Sequence, residues 1–415
     1  MVCILLFTID TYEDTISVNP DTSYLEWNST FPAISLCYAK GRTNQISNFL
    51  KEYWQATNFT PTKRWATMNA FAMAQTYLFV SPNSNLDEDI TGICEGLNST
   101  CNLNLQVMKT KFLPSDCKEV LFDVKFIGEP YDCDRLFEFT LTEMGSCFTT
   151  NSIYNHGLQF EQLPLQFNFW TRKRRLEFRY RNHDTINYMM YIHSPEDYPN
   201  FVEPFYALRK SGFVSHFMLQ ITETVNKQEV KDEPIDKRNC KFPSERLSPT
   251  LAYSFSQCFL YNRIQLELQF CNCTIPTSPK EFEEFYCDFK GLLCINKANV
   301  KYYTKHVHAV HKESSCMQSC ESLETHVIGE TYQSTETASE PGKVILEVLN
   351  VPIFRYQRRV IRNKLDFVVS LGGIGGLFFG VSLISIIELI YSMFFKPYNL
   401  KVKFSNNKWI VIDKK

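Results

Sequence analysis

The residues of this chain with the most chemistry to offer crowd together near its C-terminus. Gly372, Gly373, Gly375, Gly376 and Gly380 put five of the chain's 15 glycines within nine residues, with Ser382 and Glu388 just beyond. Small residues, a hydroxyl and a carboxylate on one apolar segment suggest the wall of a pore. The same residues also suit a packing face on a single-pass receptor, with Glu388 merely close to the headgroups, because small residues at four-residue spacing mainly report close helix contact. For catalysis there is nothing comparable: the sequence holds no HExxH, no phosphate-binding loop, no nucleophile elbow and no dinucleotide fingerprint. It reads as a non-enzyme, with no cofactor and no metal site.

Two other clusters are weaker than they look. His306, His308 and His311 fall within six residues, but on a helix only His308 and His311 share a face, so a solvated face accounts for them better than a metal or proton sensor. Arg172, Lys173, Arg174 and Arg175 fit a dibasic protease pattern. Their place just before a predicted strand makes them a plain basic loop.

The glycines need an element to carry them, and the sequence supplies one. From Phe367 to Ile387 there are 21 residues without a formal charge, enough at a rise of about 1.5 Å per residue to cross the hydrocarbon core of a bilayer. Gly372, Gly376 and Gly380 recur every fourth position, near one face of such a helix. Glu388 lies still within the apolar stretch, where a carboxylate is costly unless it faces protein or water.

The remainder is water-facing and oxidised. The 415 residues carry a formal net charge of −2, which gives no electrostatic case for nucleic acid. Mean hydropathy is slightly negative. Of 15 cysteines, Cys3 lies in an apolar stub and the other 14 fall between Cys37 and Cys320, all before the span. An even set of that density implies disulfides and an oxidising compartment. Sequons at Asn28, Asn58, Asn98 and Asn272 also precede the span. Asn28, Asn58 and Asn98 read as glycosylated, whereas Asn272, wedged between Cys271 and Cys273, is expected to be buried and unmodified. The last 20 residues hold six lysines, one acid and no cysteine, as a short cytoplasmic tail should. Residues 1–9 are apolar, too short to span, and lack the signals of a cleaved leader; they read as the outer end of a first transmembrane helix.

Between these ends the predicted elements are mixed. Helix-like stretches cover residues 44–53 and 62–77, and strand-like ones cover 31–37, 176–181, 188–193 and 344–349. The last of these is expected to lead through residues 355–364 directly into the span.

At this point the residues become recognisable. Phe31-Pro-Ala-Ile-Ser-Leu-Cys37, Gly145-Ser-Cys-Phe-Thr-Thr-Asn151, His193-Ser-Pro-Glu-Asp-Tyr-Pro199, Arg238-Asn-Cys-Lys-Phe-Pro-Ser-Glu245, Tyr253-Ser254 with Cys258, and Cys271-Asn-Cys273 follow one another in order. The set resembles the degenerin/epithelial sodium channel family, the amiloride-sensitive sodium channels, and within it the insect pickpocket-like branch. The resemblance implies an α+β membrane protein. A large disulfide-rich extracellular domain of palm, finger, thumb, knuckle and β-ball lies between two transmembrane helices, the first truncated here. It implies disulfides Cys37–Cys147, Cys94–Cys101, Cys240–Cys320, Cys258–Cys316, Cys271–Cys294 and Cys273–Cys287, leaving Cys117–Cys133 as a pair by exclusion. Asn262 and Ser314 stand where the branch usually has two more cysteines, so both partners of one bridge are missing together. Gly380, Val381 and Ser382 fall at the family's selectivity filter. Val369 falls at the degenerin gate, with Ser370 the alternative register, and Gly372, Gly373 and Gly376 are pore glycines.

The reading is therefore a subunit of a trimeric, sodium-selective, amiloride-sensitive cation channel gated by an extracellular or mechanical stimulus. Its partners are sodium ions, the lipid bilayer and related subunits in a homo- or heterotrimer; nucleic acid is not among them. Residues 1–18 hold the remnant of the first helix and the wrist, 19–364 the extracellular cysteine-rich domain, 365–395 the second transmembrane helix with its pore segment, and 396–415 the cytoplasmic tail. It places the protein in the plasma membrane as a multi-pass chain. The alternative is a single-pass ectodomain that binds an extracellular ligand without conducting.

Overall fold

The computed structural model describes residues 16–38, 116–142, 145–155, 163–181, 188–199, 204–209, 211–276, 278–287, 291, 294–295, 316–337, 339–361, 364–380, 382–394, 401–405 and 408–412. The expected helices at 44–53 and 62–77, the Cys94–Cys101 bridge, the Asn58 and Asn98 sequons, Ser314, Val381 and the three histidines lie outside the described residues. The chain forms two compact units: Val18–Arg358, and Met1–Ser17 together with Arg359–Lys415.

In chain order the strands are β1 (Ile16–Asp21), β2 (Asn28–Thr30), β3 (Ala33–Tyr38), β4 (Leu121–Phe126), β5 (Glu129–Tyr131), β6 (Phe137–Thr142), β7 (Gly145–Thr150), β8 (Gln166–Asn168), β9 (Arg175–Tyr180), β10 (Tyr188–His193), β11 (Phe205–Ala207) and β12 (Phe213–Asn226). Strand β13 (Cys240–Lys241) precedes helix α1 (Phe255–Cys271), after which come β14 (Gln318–Ser319), β15 (Ser322–Ser334), β16 (Gly342–Val348) and β17 (Arg355–Val360). Helices α2 (Lys364–Phe379) and α3 (Leu383–Phe394) and a hairpin of β18 (Lys401–Ser405) with β19 (Lys408–Ile412) end the chain.

Strand β12 organises the larger sheet. Ser215, Phe217, Leu219, Ile221 and Glu223 are buried while the residues between them are less so, the period of two that a pleated strand imposes. One edge of β12 takes β15 antiparallel, with the register slipping between Met218 and Leu219. The other edge takes β16 in parallel and then, beyond the end of β16, β17 in parallel from Thr224↔Tyr356 to Asn226↔Arg358. Strands β9, β4 and β5 extend the sheet past β16, and β1 borders β17. Gly342 of β16 sits opposite Tyr180 of β9. A Cβ there would overlap the Tyr180 ring, so the close approach of the two strands requires glycine.

Residues 355–364, through which strand 344–349 was expected to lead into the apolar stretch, hold a strand of their own, β17, so the last strand before that stretch is β17 and not β16. The backbone groups of Thr224–Asn226 would otherwise be left unpaired once β16 ends, and β17 pairs them. A stretch reading Arg-Tyr-Gln-Arg-Arg-Val gave little apolar pattern to reveal this.

The second sheet has the order β11-β10-β3-β7-β6, and its β3, β7, β6 and β10 pairings are antiparallel. Ile34, Leu36 and Phe148 from it share one core with Phe178, Phe217, Val344 and Leu346 of the larger sheet. A smaller core gathers Leu260 and Ile264 of α1 with Tyr198, Leu251 and Phe282. Helix α1 starts at Ser254, whose hydroxyl accepts from the Gln257 N–H, and stops at Asn272 in the left-handed region, φ 55. That cap leaves Asn272 exposed, contrary to the burial expected for it between two cysteines: a helix C-terminal residue in this conformation turns outward while its neighbours are bridged inward.

Six disulfides close among the described residues: Cys37–Cys147, Cys117–Cys133, Cys240–Cys320, Cys258–Cys316, Cys271–Cys294 and Cys273–Cys287. Cys37 and Cys147 face each other in register on β3 and β7. Asn262 points its amide at Cys316 Sγ, 3.3 Å away, so a hydrogen-bond donor fills the place of a missing cysteine.

Candidate functional site

The stretch expected to be one helix over 365–395 is two. Helix α2 ends at Phe379, and the Gly380 N–H closes its last turn on the Gly376 carbonyl at 3.0 Å. Gly380 itself adopts φ +61, a left-handed conformation that glycine takes without strain and that stops a helix. Ser382 then caps α3: its Oγ accepts from the Ser385 N–H at 3.2 Å and lies 3.1 Å from Ser385 Oγ. Gly380 and Ser382 thus punctuate a helix break, and Gly380 leaves the helical face that Gly372 and Gly376 continue to share. Among the described residues, no helix is long and apolar enough to cross a membrane.

A break of this kind changes the chemistry of the segment. The Gly376 carbonyl keeps a helical partner in the Gly380 N–H, but the carbonyls after it come at the end of α2, where a helix no longer supplies donors and where the negative end of its dipole lies. Val369 and Ser370 lie near the start of α2 and are exposed, as are Gly372, Gly373 and Gly376. A Cβ built on Gly372 or Gly373 would meet nothing within 4 Å, so the small size of these glycines serves no contact among the described residues. Glu388 is exposed on α3. Large apolar side chains on both helices are also exposed, among them Leu377, Phe378, Ile384, Leu389 and Phe394.

Three of the sequence motifs meet in the second sheet, and buried polar groups explain their composition. His193 Nδ1 lies 2.8 Å from the Ser194 carbonyl and Nε2 lies 2.9 Å from Ser35 Oγ, which is 2.8 Å from Thr149 Oγ1. A carbonyl only accepts, so Nδ1 carries the proton, Nε2 accepts from Ser35, and Ser35 accepts from Thr149. Burial holds the His193 pKa below its ordinary value, against the opposing pull of the Ser194 bond and Asp197. Asn151, at φ 56, donates its amide to the Phe31 and Leu165 carbonyls and accepts from the Leu165 N–H at 2.9 Å. Glu196 is 2% exposed. Burial first, and the neighbouring Asp197 charge second, push its carboxyl well above the ordinary range. The sequence motifs marked these positions, but nothing in the spacing showed that they were one hydrogen-bonded junction.

Arg174 donates to the carbonyls of Val348, Leu349 and Thr171, and Arg175 pairs with Glu177. The second half of the basic run is thus tied to the sheet, while Arg172 and Lys173 are exposed in the loop before β9. Among the described residues no group of three or more His, Cys, Asp or Glu is placed to hold a metal. Asn28 is exposed on β2, its side-chain oxygen accepting from Asn168 at 3.3 Å.

A disulfide-laced sheet domain is followed in this chain by an apolar, glycine-broken helix pair, and comparison with known families identifies the class of membrane channel to which the chain belongs. The family model described as "Amiloride-sensitive sodium channel" matches residues 1–392. The chain belongs to that family, whose members are ion channels and not enzymes. It is similar to the sodium channel protein Nach of Drosophila virilis, at 25% identity over 66% of this chain and 76% of that protein. Pickpocket protein 11 of Drosophila melanogaster is 25% identical over 50% of this chain and 42% of its own length. The human bile acid-sensitive ion channel is 27% identical over 67% of this chain and 58% of its own.

Proposed function

We propose that this chain is a subunit of a trimeric, sodium-selective and amiloride-sensitive cation channel of the plasma membrane, opened by an extracellular or mechanical stimulus. The observation that carries the reading is the helix break at Gly380 and Ser382 inside an apolar stretch. Non-helical backbone at membrane depth is tolerated only where protein buries it or a water-filled cavity receives it. Three copies of the break would surround such a cavity with carbonyl oxygens and with the Ser382 hydroxyls, ligands that replace part of a small cation's hydration shell.

The division of the chain follows. Residues 1–18 belong to a first membrane helix and wrist, 19–364 lie outside the cell, 365–395 form the pore-lining span, and 396–415 lie in the cytoplasm. Gly372 and Gly373, around which a Cβ would meet nothing among the described residues, and Gly376 let copies pack closely around the axis, and the exposed apolar side chains of α2 and α3 meet lipid and neighbouring subunits. Val369 is the gate, its bulk favouring the open pore. Glu388 concentrates cations at the cytoplasmic side.

Bi-ionic recording from cells expressing the full-length protein tests this. Sodium current with a sodium-over-potassium reversal potential that shifts in Ser382→Ala supports the filter assignment. Selectivity that ignores Ser382 and follows Glu388 would move the filter elsewhere, and a chain that binds a ligand at the surface but never conducts would favour the single-pass receptor.

A further inference from the structure

Asn272, Cys273 and Thr274 form an acceptor triplet. The structure gives its members opposite environments. Asn272 is exposed at the left-handed end of α1. Thr274 is fully buried, its hydroxyl donating to Glu267 Oε2 at 2.7 Å and lying 2.7 Å from Ser278 Oγ. Its N–H bonds the Phe285 carbonyl at 2.8 Å and its carbonyl accepts from Cys287 at 2.9 Å. The finished loop therefore carries an asparagine with room for a glycan but withholds the hydroxyl by which the triplet is read.

We propose that Asn272 is an N-glycan acceptor modified before the Cys273–Cys287 loop closes, so that glycan transfer and disulfide formation compete at this site. The reaction joins the Asn272 amide nitrogen to the anomeric carbon of a lipid-diphosphate-linked oligosaccharide. The anomeric carbon–oxygen bond breaks, the lipid diphosphate leaves with its electron pair, and one amide proton passes to base. Cys287 lies 14 residues downstream of Cys273, so it is synthesised about 1–3 s later at a synthesis rate of about 5–20 residues per second. Disulfide formation needs seconds or longer after that. Until then the triplet is extended and open. Once Cys287 bonds Cys273, Thr274 is drawn under α1 onto Glu267 and any unmodified chain stays unmodified. Because Asn272 faces outward, an attached glycan leaves the closed loop undisturbed.

The proposal rests on the extracellular reading of residues 19–364. The test is expression of the full-length protein in a secretory-pathway host, followed by amidase release in heavy-oxygen water and peptide mass spectrometry at every sequon. Asn272 should be modified in a fraction of wild-type molecules, and that fraction should rise at least about twofold in Cys287→Ser, where the loop cannot close. Asn272→Asp should remove one glycan and leave the others. Glycan on Asn28 with none on Asn272 in either protein overturns the assignment. Equal occupancy in wild type and Cys287→Ser overturns the competition. Absence of glycan from all four sequons sinks the extracellular reading, and this site with it.

Discussion

His193 Nε2 lies 2.9 Å from Ser35 Oγ, although 158 residues separate them in the chain. The contact joins β10 to β3, and Ser35 passes it on to Thr149 of β7. Three strands from distant segments are therefore joined by one neutral imidazole and two hydroxyls, all of them buried.

The first prediction concerns acid. Burial lowers the His193 pKa from 6.5, so below that value the unfolded chain binds a proton that the folded chain refuses. Stability is complete above the unfolded pKa and falls as pH drops through the window beneath it. The melting temperature of the purified protein should be lower at about pH 5 than at about pH 7.5. In His193→Gln that difference should shrink, though the variant is less stable at both. A pH difference unchanged by the substitution would assign the effect to other groups.

Glu196 shifts the other way. Its folded pKa is raised well above 4.5 by burial and by Asp197, so the folded state holds a proton that the unfolded state releases. Its contribution is present below the unfolded pKa and is lost as pH rises toward the folded one. Glu196→Gln should flatten the decline in stability on the alkaline side of about pH 5. A melting curve that falls just as steeply in the variant would refute this.

Gly342 should not tolerate a methyl group. Its Cβ would run into the Tyr180 ring, and that ring is held by the Tyr180 hydroxyl donating to the Arg209 carbonyl at 2.5 Å. Gly342→Ala should destabilise by about 1–3 kcal/mol, the usual cost of overpacking. Gly372→Ala, with open space around it, should leave the melting temperature unchanged and alter subunit assembly instead. Equal thermal effects of the two substitutions would contradict the packing argument.

Gly380→Ala addresses the helix break. The left-handed conformation at φ +61 costs a residue bearing a Cβ about 1–2 kcal/mol, so alanine favours a continuous helix through the break. Recording should find weakened sodium preference, because the carbonyls freed by the break return to helical hydrogen bonds. Undiminished selectivity would mean that the break does not form the filter.

Val369 supplies the last test. Val369→Gly should lower the resting current without altering ion preference, since bulk is removed from the gate and nothing from the filter. If open probability is unchanged and Ser370→Val has the larger effect, the gate lies one residue further along.

Local signals were enough for the elements whose patterns are local. Alternation marked β9, runs of strand-forming residues marked β10 and β16, and cysteine density marked a disulfide-bonded domain before an apolar stretch. Glycine followed two residues later by serine also marked the end of α2 and the start of α3, had it been weighed as a cap pair rather than as part of one span. The hairpin of β18 and β19 was not read from the tail, where lysine alternates with apolar residues in β18 but β19 is one lysine followed by four apolar residues.

What the chain's order of residues did not contain was decided by contacts across long separations. β17 exists because β12 outruns β16, a fact about two other strands. Asn272 is exposed because it caps α1, while Thr274 two residues on is pulled beneath that helix onto Glu267. The proton position on His193 follows from a carbonyl on one side and a hydroxyl on the other, brought from segments 158 residues apart. Sequence sets the propensities and the covalent pairs available; which buried donor meets which acceptor is fixed only when the sheets close, because a hydrogen bond is satisfied by position in space and not by position in the chain.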